Sequence, residues 1–252
     1  MLVVVLVALG GLAAANGTRS FNRRRSAAAT ALAHDTTVTT EQRALGVMRR
    51  AVGAANAQTT PPAELRRRVA NLASGTYIDD ILAQQDSALF RWPEHLRDAM
   101  RVYVEPSSDV PGWDPRLPLM VHEVFDEWSA AGFPLRFAFV LDSLDADLTL
   151  RWRDRFPPED GQRIGVTERI HSSDFRIVHA SIFIALHDSI GRPLAPTTVD
   201  GIVRHEVGHA LGLNHANDST SVMFHETATM TISASDRATL RLLYLVPGGS
   251  LK

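Results

Sequence analysis

Beyond residue 97 the apolar positions follow two rhythms, one of two residues and one of three to four. Met100, Val102 and Val104 alternate with Arg101, Tyr103 and Glu105, the pattern of a half-buried strand over 100–105. Residues 118–131 carry Leu119, Val121, Val124, Phe125 and Trp128 at helical spacings and end at Gly132, which predicts a long amphipathic helix. Strands are predicted at 135–140 and 146–152, the second alternating Leu148, Leu150 and Trp152 with Thr149 and Arg151. Apolar runs at 164–166 and 177–186 predict two more strands, and Gly191 to Pro196 is a turn-rich connection. Helical spacing returns from Thr197 or Thr198, either able to cap, to about Leu211, with Asp200 near the third helical position. A last helix fits 234–244, with Asp236 in its first turn and Leu240 and Leu243 on one face. Strands and helices in this order, without an internal repeat, predict the α+β class.

The first 96 residues follow other patterns. Leu2 to Ala15 are almost continuously apolar, short for a span of roughly 20 residues and nearer the core of a signal peptide. Ala13, Ala14 and Ala15 offer a small-residue cleavage site, yet Arg19, Arg23, Arg24 and Arg25 follow the run and no basic residue precedes it. Residues 1–16 are therefore a signal peptide or an N-terminal membrane anchor, and the protein is expected outside the cytoplasm, secreted or anchored. Residues 17–60, rich in Ala, Thr, Arg and Asn, form a linker in which Glu41 to Ala55 carries a short helical pattern. Pro62 opens a helix with Leu65, Val69 and Leu72 on one face before Gly75, and Ile78, Ile81 and Leu82 suggest a further turn or two. Residues 61–96 are thus a helical pro- or N-terminal segment, and 97–252 the main domain.

Charge and cysteine content narrow the function. Twenty-six basic residues against 28 acidic ones leave no global positive field, which argues against nucleic-acid binding. With no cysteine, disulfides, thiolate metal sites and a thiol nucleophile are excluded. Any metal must be held by His, Asp or Glu.

One stretch supplies such ligands: Arg204-His205-Glu206-Val207-Gly208-His209-Ala210-Leu211-Gly212-Leu213-Asn214-His215. At about 100° per residue His205 and His209 lie one turn apart on one face, so both imidazoles can reach one ion. Glu206 falls on the shoulder of that face, where a carboxylate can meet a metal-bound water without being a ligand. A straight helix would carry the next residue past the ion. Gly212 can take positive φ at low cost, turning the chain back and bringing His215 in as the third nitrogen. Three nitrogens leave a fourth zinc position open, the mark of a catalytic site.

With these residues the sequence resembles the metzincin zinc endopeptidases, and most closely the matrixin group, over about Arg97 to Val246. The long zinc motif is complete at His205, Glu206, His209, Gly212 and His215, and Ser221-Val222-Met223 resembles the Met-turn, whose methionine lies beneath the zinc ligands. Asp218 and Asp236 also fall where matrixins have acidic residues. The resemblance implies a zincin fold: a twisted mixed sheet of about five strands, a long helix on its N-terminal side, an active-site helix and a C-terminal helix. It implies one catalytic Zn2+, and protein or peptide substrates lying extended along an edge strand at Ile164 to Thr167 or its neighbour. Glu206 would take the proton from the attacking water and pass it to the leaving amine. A different class of function, a non-catalytic or latent zinc-binding module, is the alternative, and Arg19 to Arg25 offer contact with anionic lipid.

The sequence also departs from the family. His171, Asp174, His179 and His187 do not reproduce the spacing of the second, structural zinc of matrixins, so one zinc is expected. Ca2+ has no motif, although Asp142, Asp145, Asp147 and Asp154 are acidic candidates. His225 and Glu226 stand where the family has a proline after the Met-turn. A cysteine latch is impossible, which leaves Asp79 or Asp80 as the groups of the 61–96 segment able to block zinc.

Overall fold

The computed structural model describes residues 60–93, 99–226 and 231–252. The apolar run, the linker up to residue 59 with its helical stretch, and the 97 boundary lie outside them. Among the described residues no helix is long and apolar enough to cross a membrane.

Alternation builds the sheet. Strand β2 (Met100–Val104) buries Met100, Val102 and Val104, β4 (Leu148–Arg153) buries Leu148, Leu150 and Trp152, and β6 (Ile177–Ala185) buries Ala180, Ile182 and Ile184. With β3 (Phe137–Phe139) and β5 (Gly165–His171) they form a five-stranded sheet in the order β3-β2-β4-β6-β5. The first four strands run parallel, and β5 is antiparallel to β6, which leaves β5 a free edge. The sequence marks only the first residues of β5, because an edge strand open to solvent carries polar side chains: Thr167, Glu168, Arg169 and His171 break the apolar run.

Three helices cover the buried face. Helix α3 (Arg116–Ser129) inserts Val121, Val124, Phe125 and Trp128. It begins two residues before the predicted start, since Pro118 is tolerated in a first turn, where the backbone N–H groups have no helical partner. Helix α4 (Pro196–Ala210) packs on α3, β5 and β6 and is buried at Val199, Ile202, Val203 and Val207. Neither Thr197 nor Thr198 caps it: Ala195 is the N-cap and Pro196 occupies the first helical position, its fixed φ already helical. Helix α5 (Ala234–Leu245) has a capping box between Ser233 and Asp236.

The residues before β2 share this core. Helices α1 (Pro62–Leu72) and α2 (Ile78–Gln84) contribute Leu65, Val69, Ile78 and Ile81, joined by Leu89 and Trp92. Strand β1 (Ala88–Leu89) pairs antiparallel with β7 (Gly249–Ser250) at the far end of the chain.

Candidate metal centre

Helix α4 carries His205 and His209 one turn apart, and the chain turns back at Gly212, whose φ is 108°. A side chain at Gly212 would meet the Phe90 carbonyl at 2.8 Å and Leu243 at 2.9 Å, so both backbone angle and space require glycine. The turn delivers His215. The three rings form a triangle with centroid separations of 4.6, 5.3 and 4.8 Å, and one nitrogen from each lies within 4.8 Å of the others. His209 Nε2 and His215 Nε2 are 3.2 Å apart, close to the separation of about 3.4 Å set by two Zn–N bonds of about 2.0–2.1 Å in a tetrahedron.

Two of the other ring nitrogens are already engaged. His205 Nδ1 lies 2.7 Å from the Val222 carbonyl and His209 Nδ1 3.0 Å from the Leu213 carbonyl. Each therefore donates its proton to a backbone oxygen and leaves Nε2 as a lone pair, the tautomer a metal ligand needs. Burial holds all three rings below the usual histidine range, His205 at about 4, so they are neutral at pH 7. A neutral, convergent N3 set fits zinc.

Glu206 faces the same cleft from the next position on α4. Burial pushes its carboxyl up to about 7, opposed by the Thr167 hydroxyl, which lies 2.7 Å from Oε2 and donates to it. Gly165 makes room for this carboxylate: a methyl group there would stand 2.5 Å from Glu206 Oε1 and 2.6 Å from Ile202. Arg169, two residues beyond Thr167 on the same face of β5, donates to the His209 carbonyl at 3.2 Å and to Asn214 Oδ1 at 2.8 Å. Its guanidinium therefore sits on the C-terminal end of α4, where the helix dipole favours a cation.

Met223 is fully buried beneath α4. Gly208 admits it, since a side chain at that position would come within 2.3 Å of the Met223 sulfur and 3.1 Å of Trp128. Asp236 fixes the Met223 turn from the start of α5, accepting from the Ser221 hydroxyl, from Val222 N at 3.1 Å and from Ser233 N at 2.8 Å. A backbone bond from Ala216 N to the Met223 carbonyl at 2.9 Å joins this turn to the His215 loop.

Most of the remaining acidic and histidine candidates have partners of their own. Asp147 pairs with Arg101, His187 with Asp154 at 2.9 Å, and Asp174 with Arg176 at 3.1 Å. His171 stacks on Phe90, and His179 lies 3.3 Å from the Ser181 hydroxyl. Asp142 closes its own turn onto Leu144 N, and Asp218 accepts from Thr220. Asp80 accepts from Asn217 rather than reaching the histidines, and His225 and Glu226 are exposed at the cleft rim. Among the described residues the only group of three or more His, Asp or Glu side chains able to share one ion is His205, His209 and His215. Thr167, Arg169, Gly165 and Gly208 carry no local signal in the sequence.

A family model of matrixins matches residues 114–245, just over half of the chain. The chain belongs to the matrixin family. As a matrixin it has the α+β fold of that family, and the family supports zinc metallopeptidase activity in general terms. A search of curated proteins finds no match. Among solved structures, one described as the GM1 bound form of the ECX AB5 holotoxin is similar over 66% of this matrixin and 87% of that chain, at 14% identity and a TM-score of 0.44. A likeness so distant carries no argument about function.

Proposed function

We propose that this matrixin is a zinc-dependent endopeptidase in which His205, His209 and His215 hold the ion and Glu206 is the general base. The reading rests above all on three neutral imidazoles converging beside a buried carboxylate in one open cleft. Zinc bound there supplies Lewis acidity toward water and toward the peptide carbonyl. Glu206, with a carboxyl at about 7, both accepts a proton at neutral pH and gives it up again, the behaviour needed to take it from water and deliver it to the leaving amine. Thr167 aims that carboxylate. The free edge of β5 borders the cleft and offers unpaired backbone groups, so an extended substrate adds as a further strand and its side chains meet the cleft walls. We place the activity outside the cytoplasm on the strength of the apolar run Leu2 to Ala15.

The test is cleavage of a mixed quenched-peptide library by the full chain, with and without a chelator, beside Glu206→Ala at matched zinc occupancy. Chelator-sensitive cleavage that the variant lacks is expected. A folded, zinc-loaded wild type that cleaves nothing would leave a non-catalytic zinc module.

A further inference from the structure

His205 and His209 are carried by a helix, but His215 stands on a loop that the Ala216–Phe224 bridge ties to the Met223 turn on its downstream side. On its other flank the loop is held by α2 and the residues after it. Gln84, the last residue of α2, grips the His215 peptide with both ends of its side-chain amide: Nε2 donates to the His215 carbonyl at 2.7 Å, and Oε1 accepts from His215 N at 3.2 Å. The neighbouring positions are held the same way. Gln85 Nε2 donates to Asn214 Oδ1 at 2.9 Å, and both carboxylate oxygens of Asp80 take bonds from Asn217, from its backbone N at 3.0 Å and its Nδ2 at 2.7 Å. At the helix end of the loop Trp92 Nε1 donates to the Ala210 carbonyl at 2.8 Å.

We infer that Gln84 is a positioning residue for the third metal ligand, and that residues 78–92 are a standing brace of the metal centre rather than a cover over it. The inference rests on the zinc reading above and adds to it a part of the chain upstream of the residues matched to the family. The physical argument is one of loop entropy. A ligand on a free loop must be ordered when the ion binds, and that cost lowers affinity. Two bonds to the peptide of His215 itself, with bonds to the residues on either side, order it beforehand. A glutamine suits the task because its amide presents one donor and one acceptor side by side, the complement of a backbone N–H and C=O. Gln84 is exposed at the end of its helix, so these bonds add little to the stability of the fold, and the two roles can be separated by measurement.

The experiment titrates zinc against a chromophoric chelator in the full chain carrying Gln84→Met or Gln84→Glu, and melts the same proteins free of metal. Met keeps the length of the side chain and loses both bonds, and Glu keeps only the acceptor. Zinc affinity is expected to fall about tenfold in Gln84→Met, the lower end of the range for residues that support a metal ligand, and by an intermediate factor in Gln84→Glu. The metal-free melting temperature should stay within about 2 °C of the wild type. A loss of less than about threefold in Gln84→Met would overturn the proposal, and so would a fall in metal-free melting temperature beyond that margin, since Gln84 would then hold the fold and not the ligand. A wild type that binds no zinc would instead overturn the zinc reading itself, and the brace with it.

Discussion

At the scale of single residues the site depends on missing side chains as much as on present ones. Gly165 exists so that Glu206 can lie against β5, and Gly165→Ala would push the carboxylate off Thr167. On the proposed function the expected outcome is a loss in kcat of about 10² with zinc affinity within a fewfold of wild type, because general-base catalysis contributes roughly 10²–10⁴ and the three proposed ligands are untouched. Steady-state kinetics beside a zinc titration checks it. Gly208→Ala is expected to act differently. Its methyl group would strike the Met223 sulfur and Trp128 in the core, and such overpacking costs about 1–3 kcal/mol, read from denaturant unfolding. The zinc motif was legible in the sequence because its chemistry is local: two histidines at helical spacing, a carboxylate between them and a glycine break. Thr167, Arg169 and Gln84 were not, because their roles arise from packing strands and helices far apart in sequence against α4 and its loop.

Among the elements, α5 has the clearest division of labour. Asp236, which completes the capping box of Ser233, does more than start a helix, since the same carboxylate bonds the Ser221 hydroxyl and Val222 N and so holds the Met223 turn under the histidines. Asp236→Ala removes the side-chain half of the capping box that Asp236 supplies, about 0.5–1 kcal/mol, and leaves buried donors on Ser221 and Val222 unpaired, a further 1–3 kcal/mol or so. A loss of about 3 kcal/mol in urea unfolding is expected, whereas Asp218→Ala, on an exposed turn, should cost less than about 0.5 kcal/mol. The pattern of apolar residues announced every strand of the main sheet and all three of its helices: β2, β4, β6 and the helices each bury a face, and β3, half-buried at Phe137 and Ala138, shows as a short apolar run. It left out β1 and β7, two-residue strands too short to show a period, and cut β5 short, because periodicity reports burial and a free edge has little of it.

For the molecule as a whole, the N-terminal helices belong to the core. A chain beginning at Thr60 is expected to fold and bind zinc, and one beginning at Pro93 to be insoluble. The second lacks Leu65, Val69, Ile78, Ile81, Leu89 and Trp92; at about 1.5–3 kcal/mol for each side chain their loss matches a typical net stability of about 5–15 kcal/mol. Soluble yield and cooperative melting of the two chains test this. Stability should also fall in acid. Burial, with the nearby Arg169 cation, holds the His171 ring at about 4, whereas an unfolded histidine titrates near 6.5. The unfolded chain therefore binds the extra proton first, and stability that is complete above about pH 6.5 is lost as pH falls toward 4. In metal-free protein His171→Phe, which keeps the stack on Phe90, should flatten the fall in urea midpoint between pH 7 and 5.

The pairing of β1 with β7 has a consequence in time. Ala88 finds its partner only at Ser250, at the end of the chain, and Gln84 and Asp80 likewise wait for His215 and Asn217. Contacts so far apart in sequence form slowly and late. A nascent chain still on the ribosome can wind α4 and align His205 and His209, but the grip on His215 comes only after the loop at 212–217 has emerged, and β1 stays unpaired until β7 follows. His215 is thus the last of the three histidines to be set, because its hold joins positions 131 apart in the sequence.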